Sequence, residues 1–257
     1  MMRFLPSDGL RLASMALATS LLVAACGSRD EPAPLPPPGP PAPSTAAFEL
    51  TLVNLSAGQP LSPLVAIAHT EAFSLFKAGD AASVALENIA EAGDTAPLKQ
   101  LLNDTTAVLA SVSGPAAPLA PGAGNVTTVS LAVPLASIAD TRLSFAIMLG
   151  NTNDGFTGLS GESLASIPVA GSRTVDLIAY DAGTERNSES ADTVPGPATA
   201  GTGGLRQAFS AQRDDMVTTV HVHPGVVSKD DDLPGSALTG IHRWDNPVAR
   251  LTIRRTR

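Results

Sequence analysis

A single cysteine, Cys26, occurs among the 257 residues. No disulfide can form within the chain, so a fold in an oxidising compartment rests on packing and polar contacts alone. Aromatic residues make up 4% of the sequence, with one tryptophan and one tyrosine. The core must be aliphatic, and Trp244 with Tyr180 are too few polar aromatics for an extended platform on which sugar rings stack. Basic residues number 16 against 24 acidic ones, a net charge of −8, and they form no stripe. That argues against a nucleic-acid partner, and an anionic membrane surface would repel such a domain. Neither G-x-S-x-G nor H-E-x-x-H is present, nor a P-loop, which removes the common hydrolase, zinc-peptidase and nucleotide chemistries.

Glycine and proline, by contrast, are abundant at 22 each, which favours many turns and disfavours a helical bundle. At the start, Arg3 and Arg11 precede the apolar run "LASMALATSLLVAAC", the layout of a secretory signal. The run is too short and too early for a separate membrane span. The small residues Ala24 and Ala25 lead directly to Cys26, and "LVAACGS" looks like a bacterial lipoprotein box, in which the cysteine thiol accepts diacylglycerol. Residues 1–25 then read as a lipoprotein signal peptide. Losing Arg3, Arg11 and Asp8 with it leaves the mature chain one unit more negative. Gly27 supplies no inner-membrane retention signal, so the anchor is expected in the outer membrane of the cell envelope. Residues 26–46, with "PAPLPPPGPPAP", read as a polyproline linker of roughly 3.1 Å per residue, long enough to hold a domain about 60 Å from the bilayer.

Residues 47–257 read as one domain. In "FELTLVNL", Phe48, Leu50 and Leu52 alternate with polar residues, the pattern of a half-buried strand. "NVTTVSLAV", "TRLSFAIMLG", "RTVDLIAY", "TTVHVH" and "ARLTIRR" repeat the alternation. Between them, "DAASVALENIAEAG" takes helical spacing, with Asp80 as cap, Val84, Leu86, Ile89 and Ala90 as apolar positions and Gly93 as the stop. "TAPLKQLLND" reads as a shorter helix with Thr95 as cap and Pro97 in its first turn. The fold class is mainly β: an antiparallel sandwich with a small helical insertion.

Two loops concentrate oxygen donors, "GNTNDGFTG" and "YDAGTERNSE", each after a strand. If those strands run in the same direction, with the intervening chain returning between them, Asp154 faces Asp181 and Glu185. Three carboxylates with nearby carbonyls suit Ca²⁺. The same Asn and Asp residues also suit tight turns that bond their own backbone. Spacing leaves both readings open.

"FSLFKAG", "NTNDGFTGL", "YDAGTERNSE", "VHVHPG" and "WDNPVARLTIRR" together resemble a bacterial member of the spondin N-terminal domain family, over roughly Phe48 to the C-terminus. The resemblance implies a C2-like β-sandwich from extracellular adhesion proteins, binding one Ca²⁺ through loop carboxylates. Asp154, Asp181 and Glu185 fall at the family's three ligand positions. The chain departs from the animal pattern in having Glu at the third place and no cysteine in the domain.

The expected function is therefore a lipid-anchored, calcium-binding module for adhesion or ligand binding at the cell envelope, without catalysis. Its partner would be an extracellular or envelope protein or a glycan. Two other readings use different residues. His221 and His223 lie two apart on a strand and could gather a metal with His242 and Asp245, as in a metal-dependent envelope enzyme, although an exposed polar face accounts for the same pair. A carbohydrate-binding module is the other. The anchor is directly testable: Cys26→Ser should release the protein from the membrane fraction, and intact-mass analysis should find diacylglycerol on the parent chain only. Identical partitioning of an unlipidated parent and the variant would refute lipidation.

Overall fold

The computed structural model describes residues 44–257; the expected signal peptide, Cys26 and the expected linker as far as Pro43 lie outside the described residues. In chain order the described residues form β1 (Thr45–Asn54), β2 (Val65–His69), α1 (Val84–Ala92), α2 (Ala96–Asn103), β3 (Val108–Ser113), β4 (Val126–Pro134), β5 (Arg142–Met148), β6 (Gly155–Ser163), β7 (Ser172–Leu177), β8 (Ala179–Asp181), β9 (His221–Val222) and β10 (Ala249–Arg255). They build two antiparallel sheets, in the orders β4-β1-β10-β7 and β3-β2-β5-β6-β8-β9. The architecture is mainly β and sandwich-like, with the helices as a small insertion after β2.

Alternation sets the first sheet. Along β1 every second residue is buried, and in β10 Ala249, Leu251 and Ile253 point inward while Arg250 and Arg254 point out. Register then places charges opposite one another: Arg250 meets Asp176 of β7 at 2.5 Å, and Arg254 meets Glu49 of β1 at 3.9 Å. These pairs are exposed and screened by solvent, so they specify register more than stability. Phe48, Leu50 and Leu52 of β1 share one core with Leu131 of β4, Leu251 of β10 and Phe145 of β5.

The second sheet is covered on both faces. Its outer face carries Ile67, Ala146 and Phe156 against Leu86, Ile89, Leu98 and Leu102 of the helices. For that reason β2 is buried at every position and β5 at every position after Arg142, polar Ser144 and His69 included, so the alternation read in "TRLSFAIMLG" does not separate a buried face from an exposed one. His69 is fully buried here and satisfied: Nε2 lies 2.6 Å from Ser144 Oγ and Nδ1 lies 2.7 Å from the Thr70 carbonyl.

Several boundaries differ from the sequence reading. The first strand opens at Thr45, inside the expected linker. The cap of α1 is Ser83, whose hydroxyl accepts from the Leu86 N–H at 3.2 Å, and the helix starts too late for Asp80 to serve. Gly93 does end it, at φ +64°. Thr95 is the N-cap of α2 but its side chain makes no cap bond; the Ala96 N–H goes to Asp94 instead, at 2.8 Å. "RTVDLIAY" is two strands, because the chain changes sheets at Ile178. Its backbone there is satisfied by side chains: Thr157 Oγ1 donates to the Ile178 carbonyl, and the Ala179 N–H donates to Asn246 Oδ1, both at 2.8 Å. Val84, an expected core position, is 63% exposed.

Leu251→Ala should therefore lower unfolding free energy by about 2–5 kcal/mol, whereas Val84→Ala should stay within about 0.5 kcal/mol. Urea denaturation of both variants measures this, and equal losses would contradict the burial assigned to them.

Candidate metal centre

β5 and β8 run in the same direction with β6 between them, so the loops after β5 and β8 share one end of the second sheet. The first loop, Asn151 to Asp154, is buried throughout. A loop inside a protein needs partners for its polar groups, and this one has them. Thr152 Oγ1 donates to the Leu149 carbonyl at 2.6 Å and accepts from the Gly155 N–H at 2.9 Å. Asn151 Oδ1 accepts from Ala198 N–H at 2.9 Å, and Asn153 Oδ1 accepts from Glu189 N–H at 3.1 Å. A side chain at Gly155 would strike Thr152 Oγ1 at 2.6 Å and the His223 ring at 3.0 Å.

The second loop is the turn from Asp181 to Glu185. Asp181 Oδ1 accepts from the Gly183 N–H at 2.8 Å, and Asn187 Nδ2 donates to Oδ2 at 2.7 Å. Gly183 sits at φ +69°, and a Cβ there would meet the Val217 carbonyl at 2.4 Å and the Thr219 N at 2.6 Å. Only glycine fits. The turn aims its next donors across the gap: the Thr184 N–H, the Thr184 hydroxyl and the Glu185 N–H all reach Asp154 Oδ2, at 2.8, 3.1 and 3.1 Å. Asp154 Oδ1 is buried with no hydrogen-bond partner among the described residues.

Asp154, Asp181 and Asp215 each offer a carboxylate oxygen, and these three oxygens lie within 4.8 Å of one another. Asp215 comes from the long connection before β9. The sequence pairing of Asp154 with Asp181 thus corresponds to a real juxtaposition. The Glu185 carboxylate is not in this group; Glu185 reaches Asp154 through its backbone N–H, while Glu91 and Asp214 are among the charges that act on its side chain. Asp215 lies in "QRDDMV", which carries no motif. A pair of aspartates carries no local mark of the loop that it will meet.

Crowding sets the electrostatics. Burial raises Asp154 above the usual carboxylate range, and the charge of Asp181 raises it further against the pull of its three donors. Asp181 is raised by burial too, opposed by its bonds from Asn187 and Gly183. Burial and then the charge of Glu91 push Glu185 up to about 8, and burial pushes Glu189 up to about 7. Glu189 Oε2 and Asn187 Oδ1 are also buried and unpartnered among the described residues. Unpaired carboxylate and amide oxygens with no thiol suit a hard cation such as Ca²⁺.

A family model described as Spondin_N matches residues 56–212. The chain belongs to the Spondin_N family. No curated protein matches it. The matched span contains both loops of the spondin-type domain, with Asp154, Asp181 and Glu185, and stops short of Asp215. The family's domain is of the extracellular adhesion and binding type.

The histidines do not assemble with one another. His223 is buried with its ring 5.1 Å from Trp244, not on the exposed face expected for it. Its Nδ1 accepts from the Gly225 N–H at 3.0 Å, and burial pushes it down to about 4, so it is neutral at physiological pH. His242 Nδ1 accepts from the Thr239 N–H at 3.0 Å, and His221 Nδ1 lies 2.9 Å from the Thr219 carbonyl. Among the described residues, the aspartates are the one group of three metal-competent side chains drawn together.

A pH dependence follows. Carboxyls whose folded pKa is raised bind more protons folded than unfolded as pH climbs from the ordinary value, 4.5 for glutamate, to about 7–8. Folding is then favoured on the acid side and loses stability as pH rises through that window. In chelator, the melting temperature should fall by roughly 5 °C or more between pH 5 and pH 8. A flat or rising profile, read by calorimetry, would contradict the burial of these groups.

Proposed function

We propose that the protein is a calcium-binding adhesion or ligand-binding module, non-catalytic and held at the bacterial cell envelope, in the outer membrane, by lipid on Cys26. The observation that carries the metal is Asp154 Oδ1, a buried carboxylate oxygen without a donor beside two further aspartates. An unpartnered buried charge is strongly unfavourable, and a cation relieves it. Asp154 and Asp181 are the ligands that the family resemblance and the geometry share. Asp215 brings the third carboxylate, and Glu185, third in the family pattern, acts on Asp154 through its N–H. When bound, the ion supplies charge neutralisation and cross-links three loops, so that the surrounding surface is presented in one arrangement to a protein or glycan partner.

The catalytic reading has less support. The His69–Ser144 contact resembles a nucleophile with its base, but both side chains are fully buried and no substrate reaches them. Each of the other three histidines has its Nδ1 engaged by a backbone group, and the Nε2 of His223 is buried without a partner among the described residues, in no group of three metal-competent side chains. The sugar-platform reading is weaker still, since Tyr180 packs with Phe76 and Phe156 while Trp244 packs on His223.

Extracellular calcium modules bind at about 10⁻⁴–10⁻³ M. At 10 mM Ca²⁺, mass action then adds about 1.4–2.7 kcal/mol, or about 3–11 °C in melting temperature for a domain of this size. Asp181→Asn and Asp215→Asn should each remove most of that rise, and the exposed Asp245→Asn should leave it unchanged. Absence of both a melting shift and a heat of binding in the parent protein would refute the calcium reading.

A further inference from the structure

The loop after β5 also borders a cavity that the calcium reading does not use. Its volume is about 430 Å³, within the range of small-molecule pockets. Five prolines line it, Pro60, Pro63, Pro118, Pro195 and Pro197, and the end of α1 closes one side with Ala92 and Gly93. Met148 and Gly196 are buried at its floor, while Pro118, Pro197, Ala200 and Arg206 are exposed at its mouth. The walls are held closely. The Gly150 N–H donates to the Pro60 carbonyl at 2.7 Å, and the Met148 N–H donates to Ser62 Oγ at 2.8 Å. A side chain at Gly93 would strike Ser62 Cβ at 2.7 Å, and one at Gly196 would strike the Gly150 carbonyl. Proline, glycine and alanine have no rotamers with which to fill the space, so the cavity is preformed.

One charge stands at the mouth. Arg206 Nη2 donates to the Pro195 and Gly196 carbonyls, at 2.6 and 2.9 Å, which ties the guanidinium to the wall. Both bonds use one nitrogen, so Nε and Nη1 remain as donors. Arg142, Arg213 and Arg250 each face a carboxylate, whereas Arg206 makes no ion pair among the described residues. Acids outnumber bases in this chain by 24 to 16, so an arginine held by carbonyls instead is open to an outside anion. Its backbone sits at φ +50°, a conformation that costs a non-glycine residue energy. The Arg206 N–H bond to the Ala191 carbonyl, at 3.2 Å, and the Gln207 N–H bond to the Asp192 carbonyl, at 2.7 Å, keep it there.

We propose that this cavity binds a small aromatic carboxylic acid, with the carboxylate on Arg206 and the ring against the prolines. The planar fork of a guanidinium matches a carboxylate. Proline rings and aromatic faces are complementary, as where proline-rich peptides dock aromatic-lined grooves, with the roles exchanged here. A flexible acyl chain gains less, because it must give up rotamer freedom to fill a rigid space. The site uses none of the three aspartates, so it stands or falls apart from the calcium reading.

The probe is 3-phenylpropionate, with 3-phenylpropanol as its neutral counterpart and 3-cyclohexylpropionate as its aliphatic one. Binding to purified full-chain protein is measured by calorimetry in chelator. 3-Phenylpropionate should bind with a Kd of about 1 mM or tighter. The alcohol should bind about ten-fold more weakly, and the cyclohexyl acid about three-fold more weakly. Arg206→Gln changes an exposed side chain; it should melt at the parent temperature and bind the acid about ten-fold more weakly. Ala200→Trp fills the mouth, leaves Arg206 in place and should abolish binding; if Arg206→Gln melts early, this variant decides. No binding to the parent overturns the site. Equal binding of the alcohol or the cyclohexyl acid, or undiminished binding in a normally melting Arg206→Gln or in Ala200→Trp, also overturns it.

Discussion

Asp154 Oδ2 receives three hydrogen bonds from two consecutive residues, the Thr184 N–H and hydroxyl and the Glu185 N–H. Bonds to an ionised carboxylate are roughly twice as strong as neutral ones. This one oxygen therefore joins the loop after β5 to the turn after β8, and the rest of the acidic pole takes its geometry from that joint. Gly183 is required because the turn can present those donors only at positive φ and with the Val217–Thr219 backbone pressed against it. Thr152 and Gly155 are required because Asp154 must enter the next strand from inside the protein. The second oxygen of Asp154 is left buried without a donor among the described residues.

A ring of acids surrounds that joint, and the protein tolerates it by pinning backbone to carboxylate wherever it can. Glu91 holds Ser210, Asp214 holds Arg186 N–H at 2.9 Å, and Glu189 holds Val227 N–H at 3.2 Å. The Arg213–Glu87 fork anchors the long connection before β9 onto α1. Glu87 is held at both oxygens and Asp214 also faces the Arg186 guanidinium, while Glu91 and Glu189 each keep one oxygen without a partner among the described residues. Their remaining oxygens accumulate at one end of the sandwich, where the helical insertion, the two strand ends and the long connection converge. An adhesion module that presents a surface through loops needs those loops rigid, and charge-assisted bonds provide rigidity without cysteines.

Much of the scaffold was legible because period-two alternation is a local property. β1, β4 and β10 bury the residues that alternation assigns, and Gly93 ends α1 as its missing Cβ allows. The errors fell where two elements compete for one residue. Ser83 displaced Asp80 because α1 begins late, against β5 and β6. "RTVDLIAY" looked continuous because a chain that crosses between sheets keeps its extended conformation; the crossing at Ile178 is visible only in the partners, Thr157 and Asn246. His223 looked like half of an exposed pair because β9 is short and its exit is covered by Trp244, twenty-one residues on.

By itself the sequence determined the sandwich class, the helical insertion, the family and the pairing of Asp154 with Asp181, because each is written in short-range pattern: alternation, capping, and a glycine turn between carboxylates. Only the tertiary structure decided that Asp215 joins Asp154 and Asp181, that Glu185 meets Asp154 through its backbone N–H, and that the histidines form no group of three. Those outcomes depend on which loops are carried to the same end of a sheet by strand order. Strand order is set by the packing of side chains far apart in the chain, and no local pattern records it.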